Sequence, residues 1–472
     1  MSAITAPPAI FVNDVHSQLN PTRVSGIVAP QSIESIQRIV QNARRERESI
    51  SIAGGRHAMG AQQFGTDSVL LDMTRHNRVL GFDPAAGTVE VEAGIQWPEL
   101  VDSLINIQKG QSRQWGIAQK QTGADRLSIG GAVAANIHGR GLRFKPFIGD
   151  IESLTLVDAR GNVRTCSRQE NRELFRLVVG GYGLFGIVSS IKLRLTPRQK
   201  LQRVVEIACI DKLIPAFEDR ITDGFLYGDF QFAIDETSGD FLRKGVFSCY
   251  RPVDPGTPIP EDQMELSEDA WRVLLYLAHA DKGEAFRRYS GYYLGTSGQI
   301  YWSDTHQLST YLDNYHQGLD HKLGAADRAT EIITEIYVPR AALAGFMEEA
   351  REDFRKHAVD LIYGTIRLIE RDDESFLAWA RQPYACIIFN LHTVHTAAGL
   401  ERSAGAFRRL IDMAIRRGGC YFLTYHKYAT REQVESCYPQ FREFLRLKKN
   451  YDPEERFQSD WYRHYKTLVR TL

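Results

Sequence analysis

The stretch Leu127-Ser-Ile-Gly-Gly-Ala-Val-Ala-Ala-Asn-Ile-His-Gly-Arg-Gly141 is the part of this sequence around which the rest can be organised. After the first apolar residues come Gly130 and Gly131, and only small residues follow as far as Asn136. A backbone without bulky side chains can approach a ligand closely. No lysine follows the glycines as in a P-loop, and no helical apolar period runs through the segment. We therefore expect a flat or rod-shaped ligand along an irregular backbone, such as a flavin dinucleotide; the alternative is a tight turn packed under a helix.

Two further glycine clusters favour the ligand over the turn. A predicted strand, Ile50 to Ala53, runs into the loop Gly54-Gly-Arg-His-Ala-Met-Gly60. The other cluster, Gly181-x-Gly183-x-x-Gly186, matches the dinucleotide-binding expression, but it follows a predicted helix and opens a strand. A Rossmann fingerprint has the reverse order, so NAD binding by that route is not expected.

Composition narrows the class of protein and its partners. The 472 residues exceed one ordinary core and indicate two or three domains. Lysine plus arginine equals aspartate plus glutamate at 58 each, which predicts small-molecule or protein partners and no nucleic acid. No apolar run is long enough to cross a bilayer, and the first residues lack a basic region followed by an apolar one. Six cysteines without Cys-x-x-Cys suit a reducing compartment, so we expect a cytoplasmic protein without a metal site.

The pattern of predicted strands and helices changes near residue 200. Beyond it, strand candidates rich in aromatic and β-branched residues alternate with helical segments, which predicts an α+β fold with a large, mostly antiparallel sheet flanked by helices. These strand candidates are Tyr227 to Ile234, Lys244 to Arg251, Glu331 to Val338, Tyr363 to Ile369, Ala385 to Thr393 and Tyr421 to Tyr425.

The three glycine motifs, in this order, resemble those of the vanillyl-alcohol-oxidase-type (PCMH-type) FAD flavoproteins. The resemblance covers residues 22 to 197 and, more loosely, 325 to 466, and it is nearest the branch that holds the aldonolactone and alditol oxidases and the decaprenylphosphoryl-ribose oxidase. Three segments in the C-terminal half of this sequence are similar to segments of the decaprenylphosphoryl-ribose oxidase: Ala385 to Phe389, Thr424 to Lys427 and Tyr451 to Asp460. The His-Trp-Gly-Lys motif of the lactone and alditol oxidases is replaced here by Tyr425-His-Lys-Tyr428.

The resemblance implies four segments of chain. These are an N-terminal arm over 1–20, a PCMH-type FAD-binding domain over 21–200, a substrate-binding cap domain over 201–428, and a C-terminal segment over 429–472 that returns to the FAD-binding domain.

The expected cofactor is FAD, held by backbone amides of the first two glycine loops, because successive N–H groups form an anion-binding concavity. Gly183 and Ile187 are assigned to the adenine side, and simple turn geometry is the alternative for all these residues. The predicted cofactor-binding residues are Gly54, Gly55, Arg56, His57, Ala58, Met59, Gly60, Gly123, Ser128, Gly130, Gly131, Asn136, His138, Gly183, Gly186, Ile187, Cys386 and Lys427.

His57 stands where many family members attach a histidine to the flavin 8α-methyl carbon. That attachment requires a neutral imidazole nitrogen as nucleophile. The alternative is a histidine that hydrogen-bonds a phosphate or a carbonyl group.

Lys427, His138 and Tyr425 are the predicted catalytic residues. Lys427 matches a lysine beside the isoalloxazine in the resembled oxidase, where an ammonium group would stabilise negative charge on the reduced ring. Tyr425 shares a face with Lys427 if the segment is a strand, whereas His426 faces away. His138 is a candidate base, with a structural pairing to Asp150 as the alternative.

Strand-end residues of the predicted cap are weaker candidates for the cleft. Cys386 aligns with a cysteine that lies against the flavin in the resembled oxidase. A buried cysteine in a strand usually packs the core without reacting, and that is the first interpretation of this residue. The remaining candidates on the cap side of the cleft are Arg367, Glu370, Asn390 and His392.

We therefore predict an FAD-dependent oxidase or dehydrogenase that removes hydride from the hydroxyl-bearing carbon of a polyol-, sugar- or lactone-like substrate, with oxygen or another acceptor taking the electrons. Two alternatives stay open: a flavin-dependent C=C reductase of the same superfamily, and a non-catalytic flavin-binding protein. The substrate, the acceptor and the oligomeric state do not follow from the sequence.

Overall fold

The computed structural model describes residues 9–310, 312 and 314–470, with Arg470 described by its backbone alone. Residues 1–8 of the predicted arm lie outside that range. The helices are α1 Ile33–Arg45, α2 Trp97–Ile107, α3 Ile129–Ala135, α4 Arg172–Val178, α5 Leu213–Thr222, α6 Glu268–Ala280, α7 Lys282–Gly295, α8 Tyr315–Leu323, α9 Leu343–Lys356, α10 Ala397–Ile415, α11 Arg431–Cys437, α12 Phe441–Tyr451 and α13 Asp460–Arg470. None of these helices is long and apolar enough to cross a membrane.

Strands of the first two hundred residues build two sheets and two short ribbons. They are β1 Ile10–Val12, β2 Thr22–Val24, β3 Gly26–Val28, β4 Ile50–Ala53, β5 Val69–Asp72, β6 Val79–Asp83, β7 Thr88–Glu92, β8 Trp115–Gly116, β9 Ile151–Val157, β10 Val163–Ser167, β11 Ile187–Arg194 and β12 Thr196–Pro197. A parallel sheet has the order β3-β5-β4, and an antiparallel sheet has the order β10-β9-β11-β7-β6. The ribbons are β1-β2 and β12-β8.

Strands of the later part form one large antiparallel sheet. They are β13 Lys200–Cys209, β14 Tyr227–Phe232, β15 Lys244–Pro252, β16 Ile300–Trp302, β17 Ala329–Pro339, β18 Leu361–Ile369, β19 Tyr384–Val394 and β20 Cys420–Tyr421. Their order is β16-β13-β15-β14-β18-β19-β17-β20. The predicted α+β class with a large antiparallel sheet is therefore confirmed.

The two faces of the large sheet differ in chemistry because strand residues alternate in direction. One face carries Phe389 of β19, whose ring packs against Phe354 of α9 and Phe232 of β14. On the same face, Phe217 of α5 packs against Phe247 of β15. The opposite face carries the polar residues of the same strands and faces the glycine loops.

The C-terminal segment lies against the first parallel sheet. Phe457 forms a bridge with Ile50 at the edge of β4, and Gln458 donates a backbone hydrogen bond to the Ile50 carbonyl. The indole nitrogen of Trp461 in α13 donates to the Leu423 carbonyl over 3.1 Å. These contacts bring residues that follow the large sheet beside the first glycine loop.

Two local expectations are wrong. The segment after Ser128 is helical, as α3, because Ser128 accepts a hydrogen bond from the Gly131 amide and its small residues pack at close range. That helix ends where Asn136 adopts a left-handed conformation with φ 49°. The predicted strand Tyr421 to Tyr425 stops at Tyr421, so Tyr425 and Lys427 lie in a turn and their side chains need not share a face.

Candidate functional site

The three glycine motifs meet around one elongated cleft with an empty volume of about 1060 Å³. Its lining combines the first loop, α3 with its preceding turn, and the turn between α4 and β11. Of the predicted cofactor-binding residues, those that line it are Gly54, Gly55, Arg56, His57, Ala58, Ser128, Gly130, Gly131, Gly183 and Gly186. A cleft of this size, with glycine backbone on several sides, suits a large, flat, anionic cofactor.

Close packing of the loops explains why they require glycine. A Cβ on Gly55 would lie 2.1 Å from the Arg126 carbonyl oxygen, and a Cβ on Gly54 would lie 2.1 Å from Ser128 Oγ. The backbone also turns sharply at Arg56, which has a φ of 60°. Any larger residue at Gly54 or Gly55 would push the two loops apart and change the cleft.

The remaining predicted residues do not line this cleft. Asn136 donates to Asp372 over 2.9 Å and caps α3, while Ile187 is buried at the start of β11. Gly123 contacts Ser309 through its amide. Met59, Gly60, His138, Cys386 and Lys427 are likewise absent from the cleft lining.

His57 lies in the first loop with its ring buried against His16. The His57 Nδ1 atom is 2.8 Å from His16 Nε2. Burial, together with nearby positive charge, lowers the pKa of His57 to about 3, and burial lowers the pKa of His16 to about 4. Both imidazoles are therefore neutral near pH 7, which is the state that nucleophilic attachment to a flavin requires.

His138 and Tyr425 converge on a residue that the sequence analysis did not single out, Glu335 of β17. The carboxylate contacts His138 Nε2 and accepts hydrogen bonds from Tyr337 Oη at 2.6 Å and from Cys386 Sγ at 3.2 Å. The proposed pairing of His138 with Asp150 is wrong, because Asp150 accepts instead from Gln119 over 2.8 Å.

Glu335 stays ionised although it is buried. Burial opposes its ionisation, but the charge and hydrogen bond of His138, and the hydrogen bonds of Tyr337 and Cys386, lower the pKa of Glu335 to about 2. Burial and the Glu335 charge raise the pKa of Tyr425 well above its ordinary value, so its hydroxyl keeps its proton.

Tyr425 joins this polar cluster to the cleft. Its side chain lines the cleft, and its hydroxyl accepts a hydrogen bond from Gln121 Nε2 at 3.2 Å. Gln62, also in the lining, donates to the Thr424 carbonyl over 2.6 Å and so ties the first loop to the turn that carries Tyr425. The two glutamines were missed because no motif marks them.

Lys427 lies on the other side of that turn. Burial lowers its pKa, and the charge that opposes this shift is Asp460 of α13. His426 stacks on Phe407 of α10 at a ring distance of 4.4 Å, which agrees with the expectation that it faces away from the cleft. Of the three predicted catalytic residues, the structure brings together Tyr425 and His138 but not Lys427.

The polar face of the large sheet extends from Glu335 across its neighbours. Arg367 pairs with Cys386, Gln231 with Thr365, and Asp229 with Ser248 across adjacent strands, so their side chains share that face. Several of these buried groups have an atom without a hydrogen-bond partner among the described residues: Asp229 Oδ1, Gln231 Oε1, Ser248 Oγ, Thr365 Oγ1, Arg367 Nε and Asn390 Oδ1. Buried polar atoms normally have partners, so this face is suited to a ligand or ordered water rich in hydroxyl groups.

The remaining strand-end candidates do not all lie on the polar face of the large sheet. Asn390 and His392 lie on the polar face, with His392 opposite Glu331 in the ladder. Glu370 instead pairs with Arg340 over 2.8 Å at the end of β18.

Comparison with known proteins agrees with this geometry. Residues 24–167 match the FAD binding domain family. L-gulono-1,4-lactone dehydrogenase of Mycobacterium tuberculosis is 24% identical over 445 residues, which cover 93% of this chain and 95% of that protein. L-gulonolactone oxidase of Bos taurus is 28% identical over 174 residues, covering 37% of this chain and 38% of the relative. Cytokinin dehydrogenase 4 of Oryza sativa is 23% identical over 467 residues, covering 92% and 83%.

Fold, cleft and comparisons together define an FAD-binding oxidoreductase. Residues 24–167 form an FAD-binding domain of the PCMH type, and proteins similar to this chain include an L-gulono-1,4-lactone dehydrogenase and an L-gulonolactone oxidase.

Proposed function

We propose that this protein oxidises a hydroxyl-bearing carbon of a sugar-derived 1,4-lactone or a closely related polyol. The observation that carries the proposal is the contact of Glu335 with both His138 and Tyr425, at the junction of the cofactor cleft and the polar sheet face. The names of relatives that align over most or part of the chain support the lactone class.

FAD fits the cleft because glycine backbone lines it on several sides, and a Cβ at Gly54 or Gly55 would push the neighbouring loop away and change its shape. The loop residues Gly54 to His57 and Ser128 to Gly131 would hold the pyrophosphate, and Gly183 would lie toward the adenine. When bound, FAD supplies the hydride acceptor at N5.

Glu335 is the residue that we assign to the substrate hydroxyl. An ionised carboxylate accepts a hydrogen bond from that hydroxyl and increases the electron density on the carbon that loses hydride. His138 contacts the carboxylate and fixes its orientation, while the Tyr425 hydroxyl approaches the same carboxylate from the side of the cleft. The unpartnered atoms of Asp229, Arg367 and Asn390 would bind the remaining oxygens of the substrate.

Anaerobic mixing tests this proposal. The purified yellow protein is titrated with L-gulono-1,4-lactone, D-arabinono-1,4-lactone or an alditol while the flavin absorbance near 450 nm is followed. We expect rapid bleaching with a lactone and recovery of the colour when oxygen or an artificial electron acceptor is admitted.

Each alternative function predicts a different result. Bleaching that requires NADPH, followed by reoxidation on adding an unsaturated substrate, would establish the C=C reductase. A flavin that no lactone, polyol or nicotinamide reduces would contradict an oxidoreductase role and favour the non-catalytic alternative.

A further inference from the structure

A second cluster of titratable side chains lies toward the start of β17, four residues before Glu335. Its centre is Glu331, which is buried, and three histidines surround it: His279 of α6, His316 of α8 and His392 of β19. The cluster thus joins four separate elements. The cluster has no part in the proposed oxidation. The sequence did not predict it, because the search for a metal site there relied on the spacing of cysteines.

The distances within the cluster match the edges of a small coordination polyhedron. Glu331 Oε1 lies 3.2 Å from His279 Nε2 and 3.7 Å from His392 Nδ1, and Glu331 Oε2 lies 2.9 Å from His316 Nδ1. A tetrahedral Zn²⁺ with bonds near 2.0–2.1 Å separates its ligand atoms by roughly 3.3 Å. The donor atoms of His279, Glu331 and His392 all lie within 4.8 Å of one another.

Hydrogen bonding alone leaves this cluster unsatisfied. His316 Nδ1 and His392 Nδ1 are buried and have no hydrogen-bond partner of acceptable geometry among the described residues, although both are close to Glu331. Glu331 already accepts a hydrogen bond from the Tyr315 hydroxyl. One carboxylate can neutralise only one imidazolium, so three protonated histidines around it would repel one another in a buried place.

The ring of His279 is oriented as a metal ligand. Its Nδ1 lies 2.8 Å from the Leu275 carbonyl oxygen, which can only accept, so Nδ1 carries the hydrogen. When the ring is doubly protonated, Nε2 donates to Glu331 Oε1, 3.2 Å away. A divalent cation can take the place of that proton between the same two atoms, and donation from the second ring nitrogen to a carbonyl is the usual support of a metal-bound histidine.

The cluster of Glu335, His138 and Cys386 differs in its hydrogen-bond donors. There Glu335 accepts hydrogen bonds from Tyr337 and Cys386 as well as contacting His138, so its donors and acceptors are matched without an ion. Only one histidine, His138, faces that carboxylate in the part of the chain that the structure describes.

We propose that His279, His316, His392 and Glu331 bind a divalent metal ion of the Zn²⁺ class. Three imidazole nitrogens and one carboxylate oxygen are ligands typical of zinc, and no thiolate is required. The ion would tie α6 and α8 to β17 and β19 and so act as a structural clamp on the large sheet. This site is independent of the flavin and of the proposed oxidation.

Metal analysis of the protein as purified is the first test. We expect about one zinc per chain in the wild type, measured by elemental mass spectrometry after removal of loosely bound ions. Glu331→Gln and His392→Ala should each lower that content at least several-fold. His321→Ala is the matched control, since it removes an exposed histidine of the same helix α8 and should leave the zinc content unchanged.

Cobalt substitution keeps the test valid if a variant does not fold. Wild-type protein stripped with a chelator and loaded with Co²⁺ should show the visible d–d bands of a four-coordinate ion, and zinc should abolish them in a 1:1 titration. A wild type without zinc that also gives no such bands would overturn the proposal. Equal metal content in the wild type and in folded Glu331→Gln protein would overturn it as well.

Discussion

His57 Nδ1 lies 2.8 Å from Nε2 of His16, so the buried ring at the proposed attachment point is held by a second neutral histidine. A neutral imidazole at that place can act as a nucleophile toward a flavin. It can do so only if the proton shared between the two rings leaves the attacking nitrogen, and His16 is placed to accept it.

Covalent attachment of FAD through His57 is therefore the first prediction. Acid precipitation of the purified protein should leave the yellow colour in the pellet, whereas His57→Ala should release FAD into the supernatant. His16→Leu should bind FAD but attach it at least tenfold more slowly, since it lacks the partner base. Release of free FAD from the wild type would contradict covalent attachment while leaving FAD binding intact.

Replacement of Glu335 by glutamine should impair oxidation without loss of the cofactor. The variant keeps the shape of the side chain but removes the charge that faces His138 and Tyr425, so we expect kcat/KM to fall by about 10²–10⁴. Flavin absorbance per chain measures cofactor retention in the same samples. Glu349→Gln, on the outer surface of α9 beside Arg416, is the control and should keep wild-type kinetics; an unchanged Glu335→Gln enzyme would remove this residue from the reaction.

Gly55→Ala should abolish FAD binding. The new Cβ would lie 2.1 Å from the Arg126 carbonyl oxygen, which is backbone and cannot rotate away, so the two loops must separate. We expect colourless, folded protein, checked by flavin absorbance together with circular dichroism. Gly345→Ala in α9 meets no atom within 4 Å and should retain FAD, with a gain in stability of about 0.5–1 kcal/mol; normal FAD content in Gly55→Ala would show that the loops do not form the cofactor site.

Stability should fall with acid through the buried histidine His426. Burial lowers the pKa of His426 to about 3 from its ordinary 6.5, so the unfolded chain takes up a proton below pH 6.5 that the folded protein does not. Its contribution to the free energy of unfolding is complete above pH 6.5 and decreases by about 1.4 kcal/mol per pH unit below it, until pH 3. Denaturant unfolding at several pH values measures this slope.

A variant isolates the contribution of His426. In His426→Gln the fall in stability between pH 6.5 and 5 should be shallower by that amount per unit, because glutamine does not titrate. Asn106→Gln, at an exposed position of α2, should keep the wild-type slope. Identical slopes in the wild type and in His426→Gln would contradict the assignment.

Much of the cofactor cleft could be predicted from the sequence because glycine is a local signal. Gly54, Gly55, Gly130, Gly131 and Gly183 occupy positions where the backbone turns or approaches another chain segment, and this requirement is visible in a single short stretch. The large antiparallel sheet could be predicted for the same reason, since its strands are continuous runs of apolar and aromatic residues. The order of helix, glycines and strand at Gly181 also sufficed to exclude a Rossmann site.

The cluster of Glu335, His138 and Tyr425 could be predicted only in part. His138 and Tyr425 were singled out, but Glu335 was not, because an isolated glutamate in a strand has no distinguishing spacing. Glu335 can be recognised as a site residue only from its contacts with His138, 197 positions before it in the sequence, and Cys386, 51 positions after it. Lys427 was assigned to the flavin from the resemblance, and only its shared face with Tyr425 assumed a continuing strand; the turn after Tyr421 places Lys427 near Asp460 of α13.

The sequence by itself determined the class of cofactor and the kind of fold, since glycine patterns and apolar alternation act over a few residues. Only the tertiary structure decided which polar groups meet, because that depends on strand register and on how distant elements pack. The clearest case is Glu331 with His279, His316 and His392: four residues spread over more than a hundred positions, without a motif, become neighbours when β17 pairs with β19 and two helices pack over their ends.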